Sequence, residues 1–124
     1  AGTPAMVADA VVERWFTPAW ARNQAESVAR HREMIRSTAA EGYASCCDAI
    51  AELDLRAGLA SVTAPTLVIA GAQDPSIPPA HGEAIAAAIP GARLVVLDPA
   101  AHLASVERAD EVTALIAEHL EVKL

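Results

Sequence analysis

Two short, uninterrupted apolar runs constrain this chain most: Thr66-Leu67-Val68-Ile69-Ala70 and Arg93-Leu94-Val95-Val96-Leu97. Neither alternates polar and apolar residues, as a strand with one wet face does. Runs of this length without alternation suit parallel strands covered on both faces. Between them, Pro78-Pro79 opens a helix that runs to Ile89, and Pro90-Gly91 closes it. After the second run, Val112, Leu115, Ile116 and Leu120 recur at helical spacing. The order strand, helix, strand, helix predicts a right-handed βαβ unit in a parallel sheet, and so an α/β fold.

Two strands make a poor sheet, since sheets have about four to six. Apart from Arg93 at the start of the second, neither run carries the charges or prolines that protect an exposed edge. The chain therefore reads as the end of a larger α/β domain, and a partner surface is expected beside the first strand. The residues before Thr63-Ala64-Pro65 have a different character. Thr3-Pro4 starts a helix with Val7, Val11, Arg14 and Trp15 at helical spacing, and it ends at Thr17-Pro18. Asn23-Gln24-Ala25-Glu26 and Thr38-Ala39-Ala40-Glu41 have the spacing of capping boxes. Val28, Arg32 and Ile35 share a face behind the first; Tyr43, Cys46, Cys47 and Ile50 form an amphipathic stripe behind the second. Asp54 is placed to cap a short turn through Leu59. The expected division is a helical region over 1–60 and an α/β region over 61–124.

Composition narrows the function classes. The 124 residues are 53% hydrophobic and 20% charged, which is the balance of a globular chain. A formal charge of -7 disfavours nucleic acid and anionic membrane surfaces, which require a basic patch. No window approaches the roughly 20 apolar residues needed to span a bilayer. Cys46 and Cys47 are adjacent and have no third cysteine to pair with, so they read as reduced thiols and imply a cytoplasmic setting. The Ala-Gly-Thr-Pro start shows neither a signal peptide nor an initiator Met, which points to processing or to a piece of a longer chain. His31, His81, His102 and His119 are scattered without paired ligand spacing, so no metal site is expected.

In open α/β sheets, chemistry gathers at the carboxyl ends of the strands. Asp74 follows the first run in Gly71-Ala72-Gln73-Asp74-Pro75, and His102 follows the second in Ala101-His102-Leu103. If the strands are neighbours, both loops open on one side. Asp74 can then hold one imidazole nitrogen as N–H and leave the other to act as a base. Taken singly, each has an ordinary explanation: an Asp in such a turn often bonds only backbone amides, and a His near a helix start is often a surface residue.

The stretches Ala64 to Pro75 with Pro78-Pro79, and Ala92 to Leu97 with Ala101-His102-Leu103-Ala104-Ser105-Val106-Glu107, resemble the segments of α/β-hydrolases that bear the acid and the histidine of the catalytic triad. Glu13-Arg14-Trp15-Phe16-Thr17-Pro18 and Glu41-Gly42-Tyr43-Ala44-Ser45-Cys46-Cys47-Asp48-Ala49-Ile50 resemble the cap region of 3-oxoadipate enol-lactonases. The resemblance implies a C-terminal portion of the α/β-hydrolase fold, with a cap over 1–60 and the last core strands over 61–124. It implies Asp74 as triad acid and His102 as triad base. It implies a small anionic lactone or ester as substrate, with Arg14, Trp15 and Trp20 as candidate binding residues in the cap, and no cofactor.

The nucleophile does not carry over. None of Ser27, Ser37, Ser45, Ser61, Ser76 and Ser105 has glycine two residues to either side, as a Gly-x-Ser-x-Gly elbow requires. The resemblance thus implies that the N-terminal half of the fold, with elbow and oxyanion donors, must come from elsewhere, and that the chain alone hydrolyses nothing at a useful rate. Cys46 and Cys47 are poor substitutes, since thiols on an apolar stripe stay protonated. The alternatives are a related esterase or perhydrolase, and a non-catalytic binding or structural module.

Overall fold

A computed structural model describes residues 3–121. Helix α1 spans Pro4–Trp15, with Thr3 extended before it and proline in its first turn. The fixed φ of Pro4 suits that position, where the missing N–H costs nothing. Phe16 and Thr17 are extended, and the short helix α2, Pro18–Asn23, follows with Thr17 as its cap. Helix α3 spans Ala25–Arg36 and packs on α1. Ala8, Val12, Phe16 and Ile35 form the core between them, with Trp15, Trp20 and Val28 against its rim. Asp9 on α1 lies 2.5 Å from Arg32 and 3.4 Å from Arg36, both on α3.

Both expected capping boxes fail. Asn23 is the last residue of α2, and Gln24 precedes α3 without a side-chain cap bond. Thr17-Pro18 starts a helix as well as ending one, and that helix takes Asn23 for itself. Thr38 turns its hydroxyl back to the Met34 carbonyl, 2.9 Å away, so it closes α3 instead of opening the next helix. Helix α4, Ala40–Glu52, begins behind Ala39 with no side-chain cap. Its amphipathic stripe is present, but among the described residues little covers it: no α4 residue is buried, Ile50 is 70% exposed, and both Cys46 and Cys47 are exposed. Asp54 does bond the Arg56 amide, at 3.1 Å, at the start of a 3-10 turn over Arg56–Ser61.

Strand β1 is Leu67–Gly71, one residue later than the apolar run suggests, and β2 is Arg93–Leu97. They pair in parallel from Leu67 opposite Arg93 to Gly71 opposite Leu97, in a two-stranded sheet. Helix α5, Pro79–Ala88, makes the crossover. Gly82 lets α5 lie close on the sheet: a Cβ there would come within 3.3 Å of Leu94 and 3.4 Å of Ala70. Gly91 turns the chain back into β2 with φ of 73°, a conformation glycine adopts freely. The strands are only half covered, against the expectation of burial on both faces. Arg93 and Val96, which point to opposite faces of the strand, are both exposed, although α5 packs against the Leu94 side and Val112 of the last helix against the Leu97 side.

Beyond β2, the short helix α6, Ala104–Glu107, precedes α7, Ala109–His119. Val112 of α7 reaches a second core with Leu97, Ala100 and Ala104, while Ile116 and Leu120 are exposed. Among the described residues, no helix is long and apolar enough to cross a membrane.

Candidate active site

The parallel pairing of β1 and β2 sets both following loops at one end of the sheet, and the ladder continues into them. The Ala72 amide donates to the Leu97 carbonyl and the Gln73 amide to the Ala100 carbonyl, each at 2.9 Å. The Gln73 side-chain amide donates to Asp98, at 3.1 Å. The approach is close enough to demand glycine at the end of β1. A Cβ on Gly71 would fall 2.2 Å from the Ala101 carbonyl oxygen and 2.6 Å from that of Ala100. These are backbone atoms, which cannot swing aside as a side chain can.

This approach brings Asp74 and His102 together. Asp74 Oδ2 lies 2.8 Å from His102 Nδ1. The other carboxylate oxygen, Oδ1, accepts the amides of Ser76 at 2.8 Å and Ile77 at 2.9 Å. Asp74 is buried, with 8% of its surface exposed. Burial is the largest single influence on its carboxyl and pushes its pKa up. The Ile77 amide, the His102 hydrogen bond, the Ser76 amide and the His102 charge act the other way and together prevail, so the net shift is down from the ordinary carboxylate range. Asp74 is therefore ionised near neutrality and can only accept. The hydrogen between it and His102 must sit on Nδ1, which leaves Nε2 of the neutral ring with its lone pair.

The ring is accessible, as a base requires: the His102 side chain is 34% exposed. Among the described residues, no hydrogen-bond partner is seen for Nε2. Asp74 and His102 border a groove of about 210 Å³ that is otherwise walled by apolar residues, including Ile69, Ile77 and Ile85.

The other residues singled out in the sequence fall elsewhere. Arg14 is exposed in the last turn of α1. Trp15 packs on the α1–α3 core, its ring edge-on to His31. Trp20 stacks on Phe16, with ring centroids 4.6 Å apart. Both indoles thus have packing roles. A larger hollow of about 410 Å³ lies among α1, α2 and α3, with Asp9, Glu13, Arg22 and Arg32 in its lining; Arg14, Asp74 and His102 take no part in it. Among the described residues, no group of three potential metal ligands occurs.

Sequence reasoning did not anticipate how the His102 loop is held. The Leu103 amide donates to the Trp15 carbonyl at 2.9 Å. Glu107 accepts from Ala101 on one side and from Thr17 on the other. A carboxylate five residues past the histidine was visible in the sequence, but nothing local identifies its partners.

Residues 6–109 match the family described as alpha/beta hydrolase fold. The chain is 41% identical over 102 residues to 3-oxoadipate enol-lactonase 2 of Acinetobacter baylyi, and 34% identical over 98 residues to 3-oxoadipate enol-lactonase 1 of the same organism. These alignments cover 82% and 79% of this chain but only 38% and 36% of the relatives. The chain thus spans well under half the length of the curated relatives it matches. The crystal structure of the enol-lactonase from Burkholderia xenovorans LB400 superposes with a TM-score of 0.91 at 41% identity, over 94% of this chain and 44% of that one. The parallel strand pair, the two loops at its carboxyl end and the match over most of the chain lead to one family: the chain belongs to the alpha/beta hydrolases.

Proposed function

We propose that this chain supplies the acid and the base of a serine-type hydrolase acting on a small anionic lactone, of the 3-oxoadipate enol-lactone kind met in aromatic-acid breakdown in the cytoplasm. The observation that carries the reading is the 2.8 Å bond from His102 Nδ1 to a buried, ionised Asp74, both residues bordering one groove. The similarity to enol-lactonases supports the substrate class.

In this reading residues 1–60 form a cap and 61–124 the end of the core. A serine on a Gly-x-Ser-x-Gly elbow, from a separate part of the fold, pairs with them. Its hydroxyl attacks the lactone carbonyl while His102 Nε2 takes the proton. Asp74 keeps the ring in the Nδ1–H tautomer and stabilises the imidazolium. The tetrahedral adduct collapses, the ring C–O bond breaks, and His102 returns the proton to the departing enolate oxygen. Water then attacks the acyl-serine, giving one proton to Nε2 and releasing the carboxylic acid as the proton passes back to serine. No cofactor enters the reaction. In the cap, Arg14 has an exposed guanidinium next to Trp15, whose carbonyl holds the residue after His102, and we assign it to the substrate carboxylate.

The test is hydrolysis of the enol-lactone and of a simple ester by this chain alone, and mixed with a polypeptide holding the elbow half of the fold. The reading expects turnover in the mixture only, abolished by His102→Ala. Turnover by the chain alone, or a mixture that associates and does not turn over, would overturn it in favour of a different nucleophile or a non-catalytic module respectively.

A further inference from the structure

The bonds around the His102 backbone form a clamp that the proposed chemistry does not use directly. His102 sits between two residues whose amides are both tied down. The Ala101 amide donates to Glu107 Oε2 at 2.5 Å, and the Leu103 amide donates to the Trp15 carbonyl at 2.9 Å. The second oxygen of Glu107, Oε1, accepts the Thr17 amide at 2.8 Å and the Thr17 hydroxyl at 2.7 Å. Thr17 is itself buried, with 5% of its surface exposed, and its hydroxyl oxygen faces the Trp20 amide at the start of α2, 3.4 Å away. One carboxylate therefore joins the loop before His102 to the hinge between α1 and α2. The neighbouring Leu103–Trp15 bond joins the loop after His102 to the end of α1.

We propose that Glu107 is a positioning residue for His102, fixing the imidazole against Asp74 by bracing its loop on the α1–α2 hinge. Three donors converge on this carboxylate, and hydrogen bonds to an ionised acceptor are shorter and stronger than neutral ones. Asp74 needs no such brace, because its own following amides hold it. His102 lacks that local support: the loop after β2 must travel past Gly71 and present the ring from a distance. An ångström of drift there would open the pair, and misplacements of that size cost up to about 10² in rate. The clamp also links the helical region to the base, so a substrate that shifts the α1–α2 hinge would be felt at His102.

The inference rests on the reading of His102 as general base, and its test separates the two. Glu107→Gln keeps the shape but presents an N–H where an acceptor is required, either to Ala101 or to Thr17. Thr17→Val removes the hydroxyl both as donor to Glu107 and as acceptor of the Trp20 amide, and Thr17→Ser restores both. The first readout is the His102 Nδ1–H resonance in proton NMR of the full chain, which needs no turnover. The second is kcat and KM for lactone hydrolysis in the mixture with the elbow half. Glu107→Gln is expected to broaden or erase the resonance and to lower kcat on the order of tenfold to a hundredfold with KM within about twofold. Thr17→Val should do the same more weakly, and Thr17→Ser should recover both readouts. An intact resonance and unchanged kcat in Glu107→Gln would overturn the proposal. So would losses in Thr17→Val that Thr17→Ser fails to restore, a comparison that holds even if Glu107→Gln does not fold. If the mixture never turns over but the resonance responds as described, the hydrolase reading fails and the clamp stands.

Discussion

The Asp74 loop and the His102 loop meet in one hydrogen bond, yet they are held in different ways. Asp74 is fixed by amides two and three residues downstream, in a turn that starts from Gly71. His102 is fixed by Trp15 and, through Glu107, by Thr17, 90 positions from Glu107. The acid is placed by local turn chemistry, the base by tertiary structure. It follows that the acid's geometry should survive perturbation of the helical region, and that the base's geometry should not.

The largest effect is expected at the bond itself. Asp74→Asn keeps the shape of the loop but favours the wrong imidazole tautomer, and kcat of the mixture should fall by about 10⁴. A fall of less than tenfold would mean that His102 is oriented by its clamp alone. Next comes the approach of the two loops. Gly71→Ala places a methyl against the Ala100 and Ala101 carbonyls and should destabilise the chain by about 3 kcal/mol, measured by urea unfolding. A cost under about 1 kcal/mol would show that the loops move apart freely.

Val12→Ala separates the two supports more sharply. Val12 is 2% exposed in the core beneath Trp15 and Phe16, and losing two methyl groups there should cost about 2 kcal/mol. The variant should weaken the His102 Nδ1–H resonance while leaving amide exchange at Ser76 and Ile77 unchanged. Equal loosening at both loops would break the distinction between local and remote support.

The pH dependence of stability examines the local support. Asp74 has a folded pKa below its unfolded value, so its contribution is fully present above about pH 4 and is lost as pH falls through the lower folded value. The difference in unfolding free energy between the unsubstituted chain and Asp74→Asn should shrink steadily below about pH 4. A difference that stays constant down to pH 2 would contradict the lowered pKa. The smallest effect belongs to α4, which takes no part in holding either loop. Ile50→Ala should change stability by less than about 0.5 kcal/mol, because the side chain is 70% exposed.

The same contrast explains what could be read in advance. The strand runs, the crossover between Pro79 and Gly91, and the placement of Asp74 and His102 at matching strand ends follow from local composition and from one rule about parallel sheets. The shift of β1 to include Gly71 reflects the ladder continuing into the loop, which composition does not announce. The capping boxes failed because capping is competitive. Asn23 was already claimed by α2 and Thr38 by the end of α3. The Tyr43 to Ile50 stripe follows from periodicity, which says only that a face is apolar, not what covers it. Glu107 and Thr17 were in view as residues, and their meeting depends on the packing of the helical region against the loop.

The most direct measurement is nitrogen NMR of the His102 ring in the full chain near neutral pH. The account predicts that the neutral ring carries its proton on Nδ1, with a low-field N–H proton that disappears in Asp74→Asn. A neutral ring protonated at Nε2, or one that exchanges freely between tautomers in the presence of Asp74, would contradict the claim that Asp74 prepares His102 to act as a base.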